Sequence, residues 1–157
     1  MELKSLSNKK VLIGAYESGS GALLMKIFLK YSFDINSFVF TSSFSNHNFK
    51  NTNINYQIAE KNLSIEKLKK RILKLKPDFI LVGASAGYNI EKKLIKASHE
   101  MNITVISFID HYWNLWQRFA NEKTAKPWEY KPDFIFVIHK ICADKLIESG
   151  WSKNKIG

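Results

Sequence analysis

The chain has 157 residues, 45% of them apolar, which is enough for one α/β-sized domain with a real core. A formal charge of +10 would suit an anionic partner, and the single cysteine, Cys142, excludes both an internal disulfide framework and a thiolate zinc cluster. No stretch approaches the ~18–20 apolar residues of a membrane span, and Met1 to Lys10 has no apolar run of signal-peptide length.

The first element in chain order is an apolar strand over Val11 to Tyr16, followed by the glycine turn Glu17-Ser18-Gly19-Ser20-Gly21 and a helix over Ala22 to Lys30. Ser37 to Thr41 is a second strand, and Ser42 to Asn53 a polar loop. A short third strand lies near Ile54 to Ile58. Ser64 caps a helix in which Ile65, Leu68, Ile72 and Leu75 fall at helical spacing until Pro77 stops it. The segment Lys76-Pro-Asp-Phe-Ile80 recurs as Lys131-Pro-Asp-Phe-Ile135. Each copy leads into an apolar strand, Phe79 to Gly83 and Phe134 to Ile138, and an echo this short reads as strand-entry chemistry rather than duplication. A helix over Asn89 to Met101, a strand over Ile103 to Ile109 and a helix over Ile141 to Ser149, closed by Gly150, complete the order β-α-β-β-α-β-α-β-loop-β-α.

Strands apolar along their whole length must be covered on both faces. The expected fold class is therefore α/β: a Rossmann-like, doubly wound, mostly parallel sheet of about six strands, with helices on both faces, over residues 1–157. Ligands of such sheets bind beyond the carboxyl ends of the strands, where strand order reverses. The unusual loops fall there: Glu17 to Gly21, Ser85 to Tyr88, Asp110 to Arg118, and His139.

Gly19-Ser20-Gly21 can let backbone amides approach an anion at a helix start, or can simply make a tight turn. The full dinucleotide fingerprint is missing: Leu24 stands where a small residue is wanted, and Thr41, Ser42 and Ser43 stand where an acid is wanted. No nicotinamide or flavin dinucleotide is expected, and no permanently bound cofactor. The small-residue loop Ala84-Ser85-Ala86-Gly87-Tyr88 leaves room for a ligand or for close packing. Asp110 and His111 close one strand end, and His111 is the best general acid or base in the chain. Adjacent residues on an extended chain point apart, so only a turn brings both into a cleft; otherwise Asp110 caps and His111 is satisfied by backbone. Arg118 could hold a phosphate or carboxylate. Trp113, with Tyr112, Trp116 and Phe119, could stack on a sugar or pack as a lid. His139 ends the last strand as a secondary candidate, while His47 and His99 carry no site signal. The dispersed histidines form no metal constellation. The lysines are scattered over helices (Lys67, Lys69, Lys70, Lys74, Lys92, Lys93), which reads as a solvated basic surface, and no nucleic-acid partner is expected.

Together, Glu17-Ser-Gly-Ser-Gly21, Lys76-Pro-Asp-Phe-Ile-Leu-Val-Gly83, Thr104-Val-Ile-Ser-Phe-Ile-Asp-His111, Pro132-Asp-Phe-Ile-Phe-Val137 and Gly150-Trp-Ser-Lys-Asn-Lys-Ile156 resemble the N-terminal half of GT-B-fold enzymes. That superfamily holds nucleotide-sugar glycosyltransferases and UDP-N-acetylglucosamine 2-epimerases. The resemblance implies an acceptor-binding domain or subunit for surface polysaccharide or glycolipid synthesis, with a nucleotide sugar as co-substrate. It implies His111 as base, Asp110 as its orienter, Arg118 as anion clamp and Gly19 to Gly21 as a backbone cradle. Glu17, Ser18, Ser20, Ser85, Gly87, Tyr88, Trp113 and His139 join the substrate-binding candidates. One departure counts against epimerase chemistry: the epimerases carry an acid in the loop corresponding to Ser85 to Tyr88, and this sequence has none there. The resemblance also implies a second GT-B domain or donor-binding subunit beyond Gly157. The chain then reads as a fragment, a split subunit or a free-standing domain. The alternatives are a non-catalytic nucleotide- or anion-binding module and a nucleotide-sugar hydrolase or epimerase relative. The expected location is the cytoplasm, and the helix Ala22 to Leu29 with the basic surface would suit peripheral contact with an anionic membrane at its inner face.

Overall fold

The computed structural model describes residues 3–157 apart from Lys61, Glu122 and Ala125. Six strands form one sheet: β1 (Val11–Ala15), β2 (Phe38–Thr41), β3 (Asn55–Ile58), β4 (Phe79–Val82), β5 (Val105–Ile109) and β6 (Phe134–Val137). The order is β3-β2-β1-β4-β5-β6 and every pairing is parallel. The helices are α1 (Ser18–Tyr31), α2 (Ile65–Leu75), α3 (Ile90–Glu100) and α4 (Lys140–Glu148). The sequence-based order of elements and the doubly wound class both hold.

The apolar strands are divided between two cores. Leu12, Ile80, Val82, Val105, Ile109 and Ile135 face α2, α3 and α4, where Leu68, Ile72, Leu94, Ile95 and Leu146 meet them. Val11, Ile13, Val39, Leu81, Ile106 and Phe136 face α1, whose Leu24, Ile27 and Phe28 are joined by Phe49 and Ile54. Adjacent strand residues belong to opposite cores, so neither face can carry a polar side chain cheaply. This accounts for unbroken runs such as Phe79-Ile-Leu-Val82.

Helix ends follow local chemistry. The Ser64 side chain accepts from Lys67 N–H at 3.2 Å, and Asn89 Oδ1 accepts from Glu91 N–H at 2.8 Å. Gly150, at φ +93°, closes α4 in the left-handed conformation that favours glycine. The start of α1 differs from the sequence reading. Gly21 N–H donates to the Glu17 carbonyl at 2.9 Å, so Gly19 to Gly21 form the first turn of the helix rather than a turn before it.

The repeated Lys-Pro-Asp segment has a mechanical explanation. Asp78 N–H donates to the Lys10 carbonyl at 2.8 Å, and Asp78 Oδ2 accepts from Lys10 N–H at 2.7 Å. Asp133 repeats the pair with Val105, at 2.9 Å in both directions. In each copy one aspartate satisfies an amide at the entry to the neighbouring strand, that of Lys10 just before β1 or of Val105 at the start of β5, and sets the register at which the next strand enters. Asp133→Ala leaves the Val105 amide without its acceptor and should lower the unfolding free energy by about 1–3 kcal/mol in urea titrations; unchanged stability would mean that the pair sets no register.

Candidate functional site

Strand order reverses between β1 and β4, so their carboxyl ends part and leave a crevice. Its walls come from the β1–α1 junction (Glu17, Ser20), the β4–α3 loop (Gly83, Ala84, Ser85) and the loop after β5 (Asp110, Arg118). The enclosed space is about 10 Å³, room for about one water, so a larger ligand must rest on this edge rather than inside it.

The crevice is held from below by a residue that sequence reasoning missed. Glu91, in the first turn of α3, is 1% exposed. Its Oε1 accepts from Tyr16 N–H (2.9 Å), the Ser85 hydroxyl (3.0 Å) and the Ser20 hydroxyl (3.1 Å), while Oε2 accepts from Ser85 N–H (2.7 Å). One carboxylate thus ties the end of β1, the first turn of α1 and the loop after β4. Burial pushes the Glu91 carboxyl above its ordinary range, opposed by hydrogen bonds from Tyr16, Ser85 and Ser20. Gly83 makes room for this arrangement: a Cβ there would lie 2.5 Å from both Glu91 Oε1 and Ser20 Cβ. The sequence signal was present but ambiguous, because an acid two residues after a capping Asn reads as ordinary helix chemistry.

The next two residues of α3 anchor other loops. Lys92, 2% exposed, donates from Nζ to the Ala120 carbonyl at 3.1 Å, with Nζ 5.9 Å from the Tyr130 ring centroid. Lys93 Nζ donates to the Leu63 carbonyl at 3.0 Å. Successive helical residues point about 100° apart, so three consecutive side chains reach three different segments of one edge.

The sequence-derived candidates are placed unevenly around this frame. Ser20 and Ser85 are engaged with Glu91, and Ser85 Oγ also accepts from Glu17 N–H at 3.3 Å. Ser18 Oγ lies 3.1 Å from His47 Nε2, which brings in a histidine that carried no signal in the sequence. A Cβ on Gly21 would meet Asn48 Nδ2 and Ser45 Cβ at 2.9 Å, so Gly21 admits the β2–β3 connection. Gly19 instead turns toward Asp110, whose Oδ2 would lie 3.5 Å from a Cβ at that position. Gly87 has φ +80°, a backbone conformation that suits glycine in the loop. Tyr88 is half exposed, its ring centroid 5.7 Å from that of Tyr130. His139 caps α4 only through its backbone, the carbonyl accepting from Cys142 N–H at 3.0 Å.

Asp110 and His111 do reach the same edge, with Asp110 Oδ1 3.8 Å from His111 Nε2. That separation is too long for a hydrogen bond. The group that orients the imidazole is Arg118: its Nη2 is 3.1 Å from His111 Nδ1 and also contacts Nε2. A guanidinium has only donors, so the ring nitrogen facing it presents a lone pair. Arg118 also donates to the Ala84 carbonyl through Nη1 and to the Trp113 carbonyl through Nε at 3.1 Å. Its acceptors are carbonyls and an imidazole, so its positive charge is not cancelled by a carboxylate in direct contact. Trp113 is 65% exposed and stacks on Tyr112 with centroids 5.3 Å apart. Among the described residues no group of His, Cys, Asp and Glu is arranged to hold a metal.

Comparison with solved structures places this architecture. A UDP-GlcNAc 2-epimerase from Neisseria meningitidis, bound to UDP-GlcNAc, aligns over 94% of this chain and 44% of its own, at 14% identity and a TM-score of 0.63. The Methanocaldococcus jannaschii enzyme, with UDP-GlcNAc and UDP, aligns over 94% and 45% at 17% identity and 0.64. The fold is GT-B-like. The chain spans less than half the length of these enzymes, as it does for a Staphylococcus aureus protein solved with UDP, at 16% identity and 0.64. No protein-family model and no curated protein matches the sequence.

Two outcomes test the frame. Glu91→Gln must set its amide against either Tyr16 N–H or Ser85 N–H, and should cost about 1–3 kcal/mol in urea titrations. Stability equal to the parent would mean that the carboxylate is not the tie. The second concerns pH. A carboxyl raised in the folded state holds its proton above the pH at which the unfolded chain releases it. The resulting stability is present at low pH and is lost as pH rises through the folded value. Glu91→Gln should remove that part of the slope, and an unchanged pH profile of stability would contradict it.

Proposed function

We propose that this chain is the sugar-facing half of a nucleotide-sugar enzyme related to the UDP-GlcNAc 2-epimerases, and that a second GT-B-like unit completes its site. The observation that carries the reading is the cluster of Glu17, Asp110, His111 and Arg118 on the carboxyl edge, at the point where strand order reverses. Inverting a carbon stereocentre by acid–base chemistry needs one group to take a proton and another to return it. Asp110 and His111, 3.8 Å apart and aimed at one edge, can divide those roles. The charge on Arg118 favours an anionic ligand beside them. The acid that epimerases carry after the fourth strand has no counterpart in the Ser85 to Tyr88 loop, and Glu91, the nearest carboxylate there, is sealed from ligand. The proton-transfer work therefore falls on the loop after β5.

The apolar surface supports a second unit. Of the twelve large apolar side chains exposed among the described residues, eight line the carboxyl edge: Phe44, Ile58, Tyr88, Tyr112, Trp113, Trp116, Ile138 and Ile141. Such a concentration marks an interaction surface rather than scattered exposure.

A second reading, the acceptor-binding half of a sugar transferase, is favoured by one observation. A recess of about 210 Å³, lined in part by Tyr16, Ser42, Glu60, Tyr88 and Lys93, opens on the same carboxyl edge. A recess of that size offers an acceptor a seat separate from the Asp110 crevice, which holds no more than about one water.

The purified 157-residue protein should turn over UDP-GlcNAc negligibly, and efficient turnover would defeat the half-site. In the assembled protein, His111→Ala should lower the rate ~10² to 10⁴-fold. An unaffected rate would return His111 to a structural role. Product analysis by NMR separates the readings: an epimerised UDP-sugar made without acceptor supports the first, and UDP release that requires a saccharide acceptor supports the second.

A further inference from the structure

At the opposite, amino-terminal edge of the sheet lies a groove of about 410 Å³, between the end of α1 and the segment leading into β3. Its floor is Phe28, Phe33 and Ile54, all buried, and its lining carries no charged side chain. Leu29 and Ile35 stand on its rim, 59% and 71% exposed. Single exposed aliphatic residues need no explanation, but two that flank an apolar groove form a continuous patch.

The surroundings of that patch are cationic. Lys30 follows Leu29, with its Nζ 5.5 Å from the Tyr31 ring centroid, and Lys50 precedes Asn51 of the lining. The Lys9 carbonyl accepts from Asp34 N–H at 3.0 Å, which brings Lys9 beside Ile35. All three lysines are exposed, and none makes an ion pair among the described residues. The acid within this rim, Asp34, accepts at Oδ1 from Asn36 N–H at 2.7 Å and from Asn36 Nδ2 at 2.9 Å; these donors are neutral, so it keeps its charge and is outnumbered by the three lysines.

We propose that this edge docks on an anionic lipid surface, with Leu29 and Ile35 entering the interface and Lys9, Lys30 and Lys50 facing the headgroups. An aliphatic tip with exposed lysines nearby in the chain, none of them in an ion pair among the described residues, matches a bilayer surface, whose anionic headgroups overlie hydrocarbon. The contact is peripheral, since no helix among the described residues is long and apolar enough to cross a membrane. The geometry also fits use. Docking at the amino edge turns the carboxyl edge, with Asp110 and His111, away from the bilayer and leaves it open to solutes and to a second unit. The inference is independent of which sugar chemistry that edge performs.

The competing surface is the outward face of α2, where Lys67, Lys70 and Lys74 are exposed. Co-sedimentation with phosphatidylcholine vesicles, with and without phosphatidylglycerol, distinguishes the two. The full chain should bind the anionic vesicles at least about tenfold more tightly than the neutral ones. Leu29→Asp/Ile35→Asp and Lys9→Glu/Lys30→Glu/Lys50→Glu should each weaken that binding about tenfold, with thermal unfolding unchanged because every altered side chain is exposed. Lys67→Glu/Lys70→Glu/Lys74→Glu should bind within a few-fold of the parent. Failure to bind anionic vesicles, equal binding to neutral ones, or loss confined to the α2 variant would overturn the proposal. Light scattering supplies the remaining outcome: a monomer is expected, and a dimer that Leu29→Asp/Ile35→Asp splits would assign the groove to a second copy instead.

Discussion

A carboxylate taken out of water must be met by donors, and Glu91 is met by four. Two are backbone amides, which cannot turn away, and they belong to segments 69 residues apart at their nearest approach in sequence, Tyr16 and Ser85. The ends of β1 and β4 are therefore fixed relative to each other at the place where a doubly wound sheet opens. The rest of the edge is built on that point. Lys92 and Lys93 extend the same helical turn to the loop after β5 and to the segment before α2. The candidate side chains Asp110, His111 and Arg118 thus sit on a loop, while the edge around them is braced by the rigid start of one helix.

The consequence for chemistry is a division of labour among the polar groups. Ser20, Ser85 and Glu91 satisfy one another and face inward, so they hold the wall rather than act on a ligand. Asp110, His111 and Arg118 come from the loop after β5 and remain partly or fully exposed. Arg118 joins the two sets, since it bonds the Ala84 carbonyl of the wall and the imidazole of the edge. A loop this long would be mobile on its own; here Lys92 to Ala120 and Arg118 to Ala84 pin it at two points. The outward-facing aromatics Trp113 and Trp116 are the part left for a partner or ligand to cover.

Much of this architecture is legible in the sequence because it depends on local rules. Apolar runs bounded by Pro-Asp entries, the caps at Ser64 and Asn89, and Gly150 fix strands and helices in order, and the parallel sheet follows from runs without alternation. The partners of the site residues are not legible in the same way. Glu91 reads as an ordinary acid near a helix start, and its burial depends on the room left by Gly83, which only the fold brings against it. Gly21 reads as part of an anion cradle, yet its missing side chain accommodates Ser45 and Asn48 from another loop. Asp110 beside His111 suggests an orienting pair, but the imidazole takes its hydrogen bond from Arg118, seven residues on. Sequence marks the edge; long-range packing decides which of its groups are free to react.

The central claim is that the carboxyl edge, braced by Glu91, is the surface that meets a nucleotide sugar. The most direct measurement is an NMR titration of the isotope-labelled chain with UDP-GlcNAc. The account predicts chemical-shift changes concentrated at Glu17, Asp110, His111 and Arg118, and smaller ones at Ser20 and Ser85. Changes confined to the amino edge around Leu29 and Ile35, or none at millimolar ligand, would contradict it.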